Sequence, residues 1–268
     1  MKMKVEIVKD SENKKGDRIT TFSLHFPRFI LPELSKHRVF SISCSSSRAI
    51  PSERMMQNIR ENTAQPSEWG KEQQKGMNSD GVVDSETERK AIYIWNEARN
   101  FAIIEAVKLE SLGISRQIVN RLLEPFMFCD VILTATDFKQ FFFQRVSDNA
   151  DPTIRELASL MLETYNLSIP EKLNDGEWHI PLADDISDLE TKKKVAVSRC
   201  ARKSYNTGRV QPVEKDLELY DKLREQGHFV PFEHIAEADS NLEYLGNVKG
   251  FRQLRKTFLD ENRESFYK

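Results

Sequence analysis

The sequence predicts an α+β fold, a mainly antiparallel sheet with a helical layer, and three observations carry that reading. Residues 5–8 and 19–26 are rich in β-branched and aromatic side chains and flank a polar turn at 10–17. The middle of the chain places apolar residues at helical spacing, with Ile92, Trp95, Ala98, Ala102 and Ala106 as the clearest run. Residues 189–202 and 213–226 repeat that helical spacing near the C-terminus.

The elements follow in order. After the two strands, Pro27 and Pro32 interrupt the pattern, and residues 31–38 read as a short helix or helical turn. Residues 39–50 hold Ser41, Ser43, Ser45, Ser46 and Ser47; hydroxyls at this density suggest an ordered loop rather than core. Pro51 and Ser52 open a helix with Met55, Met56 and Ile59 on one face. Residues 62–84 read as a long surface loop, and 85–112 as the longest helix. Ser115 can cap a helix through Leu123, Asp137 one over 138–146, and Asp151 before Pro152 one running to Tyr165. Residues 166–185 form a polar connection, and the tail after Ala238 is polar and mixed.

Composition narrows the function classes. A chain of 268 residues suits one domain, or two small ones sharing a core, and 39% hydrophobic with 31% charged residues fits a soluble globular protein. A formal net charge of −2 asks for neither nucleic acid nor a membrane surface as partner. No apolar run approaches the roughly 20 residues of a membrane helix, and residues 1–10 lack a signal-peptide core, so a cytoplasmic location is expected. Cys44, Cys129 and Cys200 are widely spaced and odd in number, which fits reduced thiols. Neither a Gly-x-Gly-x-x-Gly nor a phosphate-binding Gly-rich loop is present, so a bound nucleotide has to be held by side chains and helix ends. Metal-ligand spacings such as Cys-x-x-Cys are absent, and no metal is expected.

The chemistry concentrates at Lys36-His37-Arg38, followed by seven residues and then Ser46, with Arg48 just beyond. Guanidinium forks, an ammonium and hydroxyls suit a phosphate-bearing ligand. By themselves the residues fit a solvated basic turn at least as well.

The stretch 36–49, with His37, Arg38, Ser41, Ser46 and Arg48 in register, resembles the Arg-His-Arg motif of the flavin-dependent thymidylate synthases, and Ser-Ser-Ser-Arg-Ala-Ile-Pro looks like the variant of phage members. Thr21, Phe22, Pro27 and Phe29 match the strand that leads into the motif. Residues 113–125 resemble the family's helix ending in Arg and Pro; its substrate-binding arginine maps to Arg121, or to Asn120 with a one-residue shift. Gln140 to Arg145 resembles Asn-Phe-x-x-x-Arg. Two further blocks, Ala201-Arg202-Lys203-Ser204-Tyr205 and Gly227-His228-Phe229-Val230-Pro231-Phe232-Glu233-His234, resemble motifs that the family carries near its N-terminus. Their order here suggests a circular permutation, and predicts that His228 and His234 fold beside the N-terminal strand and the 36–48 loop. The chain then reads as one domain over 1–268. Residues 1–165 supply the basic loop and helical core, and 186–238 match the family's usual N-terminal part.

What the resemblance implies is a thymidylate synthase that converts dUMP to dTMP with FAD as cofactor and NADPH and methylenetetrahydrofolate as co-substrates. It implies a homotetramer with active sites between subunits, in the cytoplasm, including the host cytoplasm of a phage. It implies that Ser46, Ser47, Arg48, Arg121 and Arg145 hold dUMP, that Lys36, His37, Arg38, Ser43 and His228 hold flavin, and that Arg145, Ser46 and Arg38 act in catalysis. The family uses no enzyme cysteine as nucleophile, so Cys44 has no catalytic role by this reading.

Departures keep three readings open. Ser43-Cys44 replaces the family's Asn-Glu, Lys36 its first arginine, Glu33 a Gln, Val230 a Ser or Thr, and Thr134 and Thr136 an Asn and an Arg. The readings are a working thymidylate synthase, a related flavoenzyme making another modified pyrimidine such as a hydroxymethylated one, and an inactive nucleotide- or flavin-binding homologue.

Overall fold

The computed structural model describes residues 3–72, 81–203, 211–259 and 261. Its main sheet is built first from β1 (Lys4–Glu12) and β2 (Arg18–Pro27), an antiparallel pair with a register shift between Ile7 and Lys9. The short helix α1 (Leu31–Leu34) leads into β3 (Ser41–Cys44). Then α2 (Ser52–Glu61), α3 (Ser85–Ser111) and α4 (Arg116–Val119) precede β4 (Phe128–Ala135). Next come α5 (Lys139–Arg145), α6 (Pro152–Leu167), β5 (Glu171–Lys172) and β6 (Trp178–His179). The five-stranded sheet runs β3-β4-β2-β1-β5, antiparallel except for the β1–β5 pair. The C-terminal part holds α7 (Leu189–Arg202), α8 (Val213–Glu225), β7 (Ala236–Ala238), β8 (Tyr244–Leu245), β9 (Val248–Lys249) and β10 (Phe251–Gln253). Strands β10-β7-β6 form a second small sheet. No helix among the described residues is long and apolar enough to cross a membrane.

Period-two alternation gives the main sheet two unlike faces. Phe22, Leu24 and Phe26 of β2 and Val131, Leu133 and Ala135 of β4 pack with Phe138 and Phe141 of the α5 segment and Ile154, Leu157, Ala158 and Met161 of α6. This is the main core, and α6 is fixed at its start by Asp151, whose side chain accepts from the Thr153 and Ile154 amides. The other face carries Ser41 and Ser43 of β3, Thr134 of β4, Thr21 of β2 and Ser11 of β1, all buried. The C-terminal part covers it. A separate cluster joins α7, α8 and the turn 229–235 around Phe232 and Ile235.

The segment 39–50, expected as an ordered loop, is one only in part: Ser41–Cys44 is a strand paired with β4, with Ser41 and Ser43 on its buried side, and the chain beyond it makes a 3-10 turn over Ser47–Ala49. A hydroxyl is buried cheaply once it is hydrogen-bonded, and here the Ser41 and Ser43 hydroxyls both have partners from the covering layer. The helix expected from Ser115 to Leu123 is α4 followed by 3-10 turns, and Ser115 makes no side-chain cap. Within the connection 166–185 two short strands form, and His179 of β6 is fully buried.

Gly250 ties the tail to the β1–β2 turn. Its φ is +69°, and a Cβ there would come within 2.4 Å of Asn13 Nδ2 and 2.6 Å of Asp17 Oδ2. Asn13 Nδ2 donates to the Gly250 carbonyl at 3.0 Å, and Lys249 pairs with Asp17 at 3.0 Å.

Candidate functional site

The residues singled out from the sequence fall into three groups around β3. At its N-terminal side, α1 and α5 bring Glu33, His37 and Arg145 together. Arg145 Nη1 pairs with Glu33 Oε2 at 3.1 Å, and Nε donates to His37 Nε2 at 3.3 Å, across 108 residues of chain. Burial, with help from the Arg145 charge, holds His37 below the usual imidazole range, so its ring is the neutral acceptor this bond needs. Phe141 packs edge-on against it at 5.0 Å. Lys36 and Arg38, on either side, are exposed.

Beyond the C-terminal end of β3, Ser46 leads into a single 3-10 turn over Ser47–Ala49. Ser47 is buried and its hydroxyl bonds Glu124 Oε1, while Arg48 is exposed. The same carboxylate oxygen accepts from Arg121 Nη1 at 3.0 Å and lies 3.5 Å from Arg28 Nη2. Of the two alternatives for the family's arginine, Arg121 thus faces Glu124, whereas Asn120 is buried and donates to the Ser47 and Ile50 carbonyls at 2.7 and 2.9 Å. Nothing local in the sequence marks Arg28 or Glu124, whose roles come from their tertiary neighbours.

The third group flanks a cavity of about 180 Å³ lined by Ser43, Cys44, His228, Val230, Leu219 and Ala201. His228 is exposed at its rim. The Cys44 thiol is held below its ordinary value by hydrogen bonding with Cys129, and the Arg28 guanidinium, whose Nη1 lies 3.9 Å from its sulfur, adds to this against burial. Glu233, in the same turn as His234, pairs with Arg255 of the tail.

The 227–234 block does fold beside β3. His234 is fully buried, its Nε2 2.8 Å from Ser43 Oγ and its Nδ1 2.9 Å from Thr134 Oγ1. Thr134 Oγ1 lies 2.7 Å from Thr21 Oγ1, which lies 2.8 Å from His179 Nε2, and His179 Nδ1 lies 2.9 Å from Ser11 Oγ. Burial lowers both imidazoles to about 3, so both are neutral near pH 7. Gln253 and Asn247 complete the cover, each donating to Ser41 Oγ, at 3.1 and 2.9 Å. Thr136 accepts from the Lys249 amide at 2.9 Å. Ser204 and Tyr205 lie outside the described residues.

By architecture the chain belongs to a class: an α+β protein whose antiparallel sheet is apolar under helices on one side and hydroxyl-bearing on the other. That architecture is similar to a crystal structure of the UMP/dUMP methylase PolB from Streptomyces cacaoi bound with 5-Br dUMP, with a TM-score of 0.50 over 61% of this chain and 90% of that one. The identity is 14%, so the likeness is one of fold. The same methylase bound with 5-Br UMP matches at a TM-score of 0.48 and 16% identity, over 61% of this chain and 88% of that one. Thymidylate Synthase X from Helicobacter pylori with FAD and dUMP matches at 0.38 and 18%, over 55% and 67%. No protein-family profile and no curated protein sequence matches the chain.

Proposed function

We propose that the chain is a flavin-dependent enzyme that methylates dUMP to dTMP, with methylenetetrahydrofolate as one-carbon donor and NADPH as reductant. The observation that carries this reading is the contact between the two motif blocks: His234 and Ser43, 191 residues apart, are within hydrogen-bond distance. Their adjacency is what a circularly permuted member of the flavin-dependent thymidylate synthases requires. The fold shared with a UMP/dUMP methylase supports a pyrimidine nucleotide as substrate.

FAD fits the residues present. Ser43, Cys44 and His228 around the cavity would hold the flavin ring, and exposed Lys36 and Arg38 would offer cations to its pyrophosphate. When bound, FAD supplies the hydride chemistry. Ser46, Ser47, Arg48 and Arg121 hold the nucleotide phosphate. Arg145 is oriented by Glu33 and His37 through Nη1 and Nε, which leaves Nη2 for a pyrimidine oxygen where negative charge develops. Arg38 and Ser46 complete the catalytic set, one at each end of β3.

The long helix α3 supports a homotetramer with sites between subunits. Tyr93, Ile94, Phe101 and Ile104 are more than half exposed along it, an apolar face that a second copy would cover. We place the enzyme in the cytoplasm, including that of a phage host. A second reading, a differently modified pyrimidine, is favoured by one feature: Cys44 stands where the resemblance expects a carboxylate beside the ring.

The test is complementation. Expression in a thymidine-requiring bacterium that lacks its own thymidylate synthase should permit growth without thymidine, and growth should vanish with Arg145→Ala. Soluble, yellow, non-complementing protein that turns over UMP or dUMP to another product would move the assignment to the second reading. Soluble protein with neither flavin nor turnover would refute both.

A further inference from the structure

The hydroxyl-bearing face of the main sheet holds an unbroken run of hydrogen bonds through six side chains: Ser11, His179, Thr21, Thr134, His234 and Ser43. Five of them have no exposed surface, and Ser43 has 5%. The run crosses from β1, through β6, β2, β4 and the turn at 230–234, to β3, and it ends on the cavity shared with His228 and Cys44. Among the described residues neither Ser11 Oγ nor Ser43 Oγ has another side-chain partner. The mechanism above uses only the last member.

Proton counting restricts this run severely. A neutral imidazole carries one N–H and one bare nitrogen, and a hydroxyl has one hydrogen to give. Each of the five contacts needs one hydrogen between its heavy atoms. If Ser11 donates to His179 Nδ1, then His179 Nε2–H donates to Thr21, Thr21 to Thr134, Thr134 to His234 Nδ1, and His234 Nε2–H to Ser43. If instead Ser43 donates to His234 Nε2, every bond reverses, and both rings carry the proton on Nδ1. The two histidines therefore share one tautomer in either direction. With unlike tautomers, the Thr21–Thr134 contact at 2.7 Å either lacks a hydrogen or leaves a threonine hydrogen with no acceptor.

We infer that this run is a directional relay that fixes whether the Ser43 hydroxyl donates or accepts toward the cavity, and so which edge of a planar heterocycle can dock there. In the first arrangement Ser43 receives from His234 and offers its own O–H to a ring acceptor; in the second it offers lone pairs to a ring N–H. Ser11, His179, Thr21 and Thr134 are then positioning residues, acting on the ligand through His234 and Ser43. No net proton leaves the run. Its sense is set by which tautomer pair is present, and a ligand at Ser43 selects between the pairs by differential binding. The docking part of the inference rests on the flavin reading, whereas the tautomer coupling does not.

The test is two-bond proton–nitrogen correlation on protein labelled with nitrogen-15 histidine, at pH 7, without and with FAD. His179 and His234 are assigned by H179Q and H234Q. Both rings are expected neutral and in the same tautomer, and Thr21→Val, which interrupts the run between them, is expected to shift the His234 ring nitrogens although position 21 bonds His179 and Thr134 rather than His234 itself. Opposite tautomers in the wild type, a protonated ring, or His234 signals unmoved in a folded Thr21→Val protein would overturn the relay. Should that variant not fold, Thr134→Ser, which keeps the hydroxyl, is expected to preserve the matched pair, and unlike tautomers there count against the relay equally. With FAD, bound flavin that leaves His234 untouched overturns the docking part. Absence of FAD binding sinks the flavin reading instead, and the tautomer comparison still decides the relay.

Discussion

Replacing Glu124 with Gln tests whether an internal carboxylate competes with the substrate's phosphate. Glu124 Oε1 accepts from Ser47 and Arg121 and sits 3.5 Å from Arg28, so two of its donors belong to the set proposed to hold dUMP. Two guanidinium groups face one carboxylate, and a nucleotide phosphate adds a second anion to the same donors. Unit charges 4 Å apart interact by about 4 kcal/mol at an effective dielectric near 20. The Glu124 side chain is 22% exposed and that of Arg121 55%, so solvent and side-chain movement reduce this, and about 1–2 kcal/mol is the expected cost of the carboxylate. Gln keeps the acceptor for Ser47 and removes the charge. Titration calorimetry should therefore show dUMP and inorganic phosphate binding about tenfold tighter to Glu124→Gln than to the wild type, since each 1.4 kcal/mol is tenfold. The gain should shrink in about 1 M salt, where the screening length falls to about 3 Å. Equal or weaker binding to the variant refutes the reasoning: Glu124 would then hold Ser47 and Arg121 in place, and its charge would not matter to the ligand.

Other substitutions probe the remaining features. Arg145→Ala should abolish dTMP formation and leave the fold intact, costing about 1 kcal/mol of stability for a partly buried ion pair; wild-type turnover removes the assignment. His179 and His234 titrate near 3 when folded and near 6.5 when unfolded, so below pH 6.5 the unfolded chain takes up protons that the folded chain refuses. Stability is complete above pH 6.5 and falls between 6.5 and 3, by up to about 1.4 kcal/mol per pH unit for each ring. Urea midpoints at pH 7.5 and 5 that coincide would contradict this. Gly250→Ala meets both a left-handed backbone and the Asn13 and Asp17 side chains; a loss of about 2–3 kcal/mol is expected, read as a lower Tm, and an unchanged Tm argues against the clasp. Phe101→Glu places a charge on the exposed apolar face of α3 and should lower the oligomer mass in sedimentation; a wild-type mass moves the subunit contact elsewhere.

Much of the framework was legible because its signals are local. Asp151-Pro152 fixed the start of α6, and the apolar spacing of Met55, Met56 and Ile59 defined the buried face of α2. The long helix ends one residue from its expected limit, yet Ala98 is exposed and Ile103 buried, because α3 packs through only part of its length. Strand β3 was hidden by its serines. Their burial depends on His234, Asn247 and Gln253, which arrive from about 190 to 212 residues away, and no spacing rule registers such partners. The same holds for the site. His37, Ser47, Arg121 and Arg145 stand in a motif, whereas Arg28, Glu124 and His179 acquire meaning only from their tertiary neighbours. The polar connection that contains His179 reads as linker until the ring is seen between Ser11 and Thr21.

A sheet whose second face is hydroxyl-bearing has an unusual relation to its cover. An apolar face, once bared, seeks any greasy partner; a row of serines and threonines is content with water. The layer over Ser11, Thr21, Thr134, Ser41 and Ser43 is held in register by directed bonds from His179, His234, Asn247 and Gln253, while Leu173, Ala236, Val248 and Phe251 of the cover close over Ile19 of β2 beside them. A cover of that kind divides two tasks that apolar packing alone has to combine: the hydrogen bonds give accuracy of position, and the buried carbon gives adhesion.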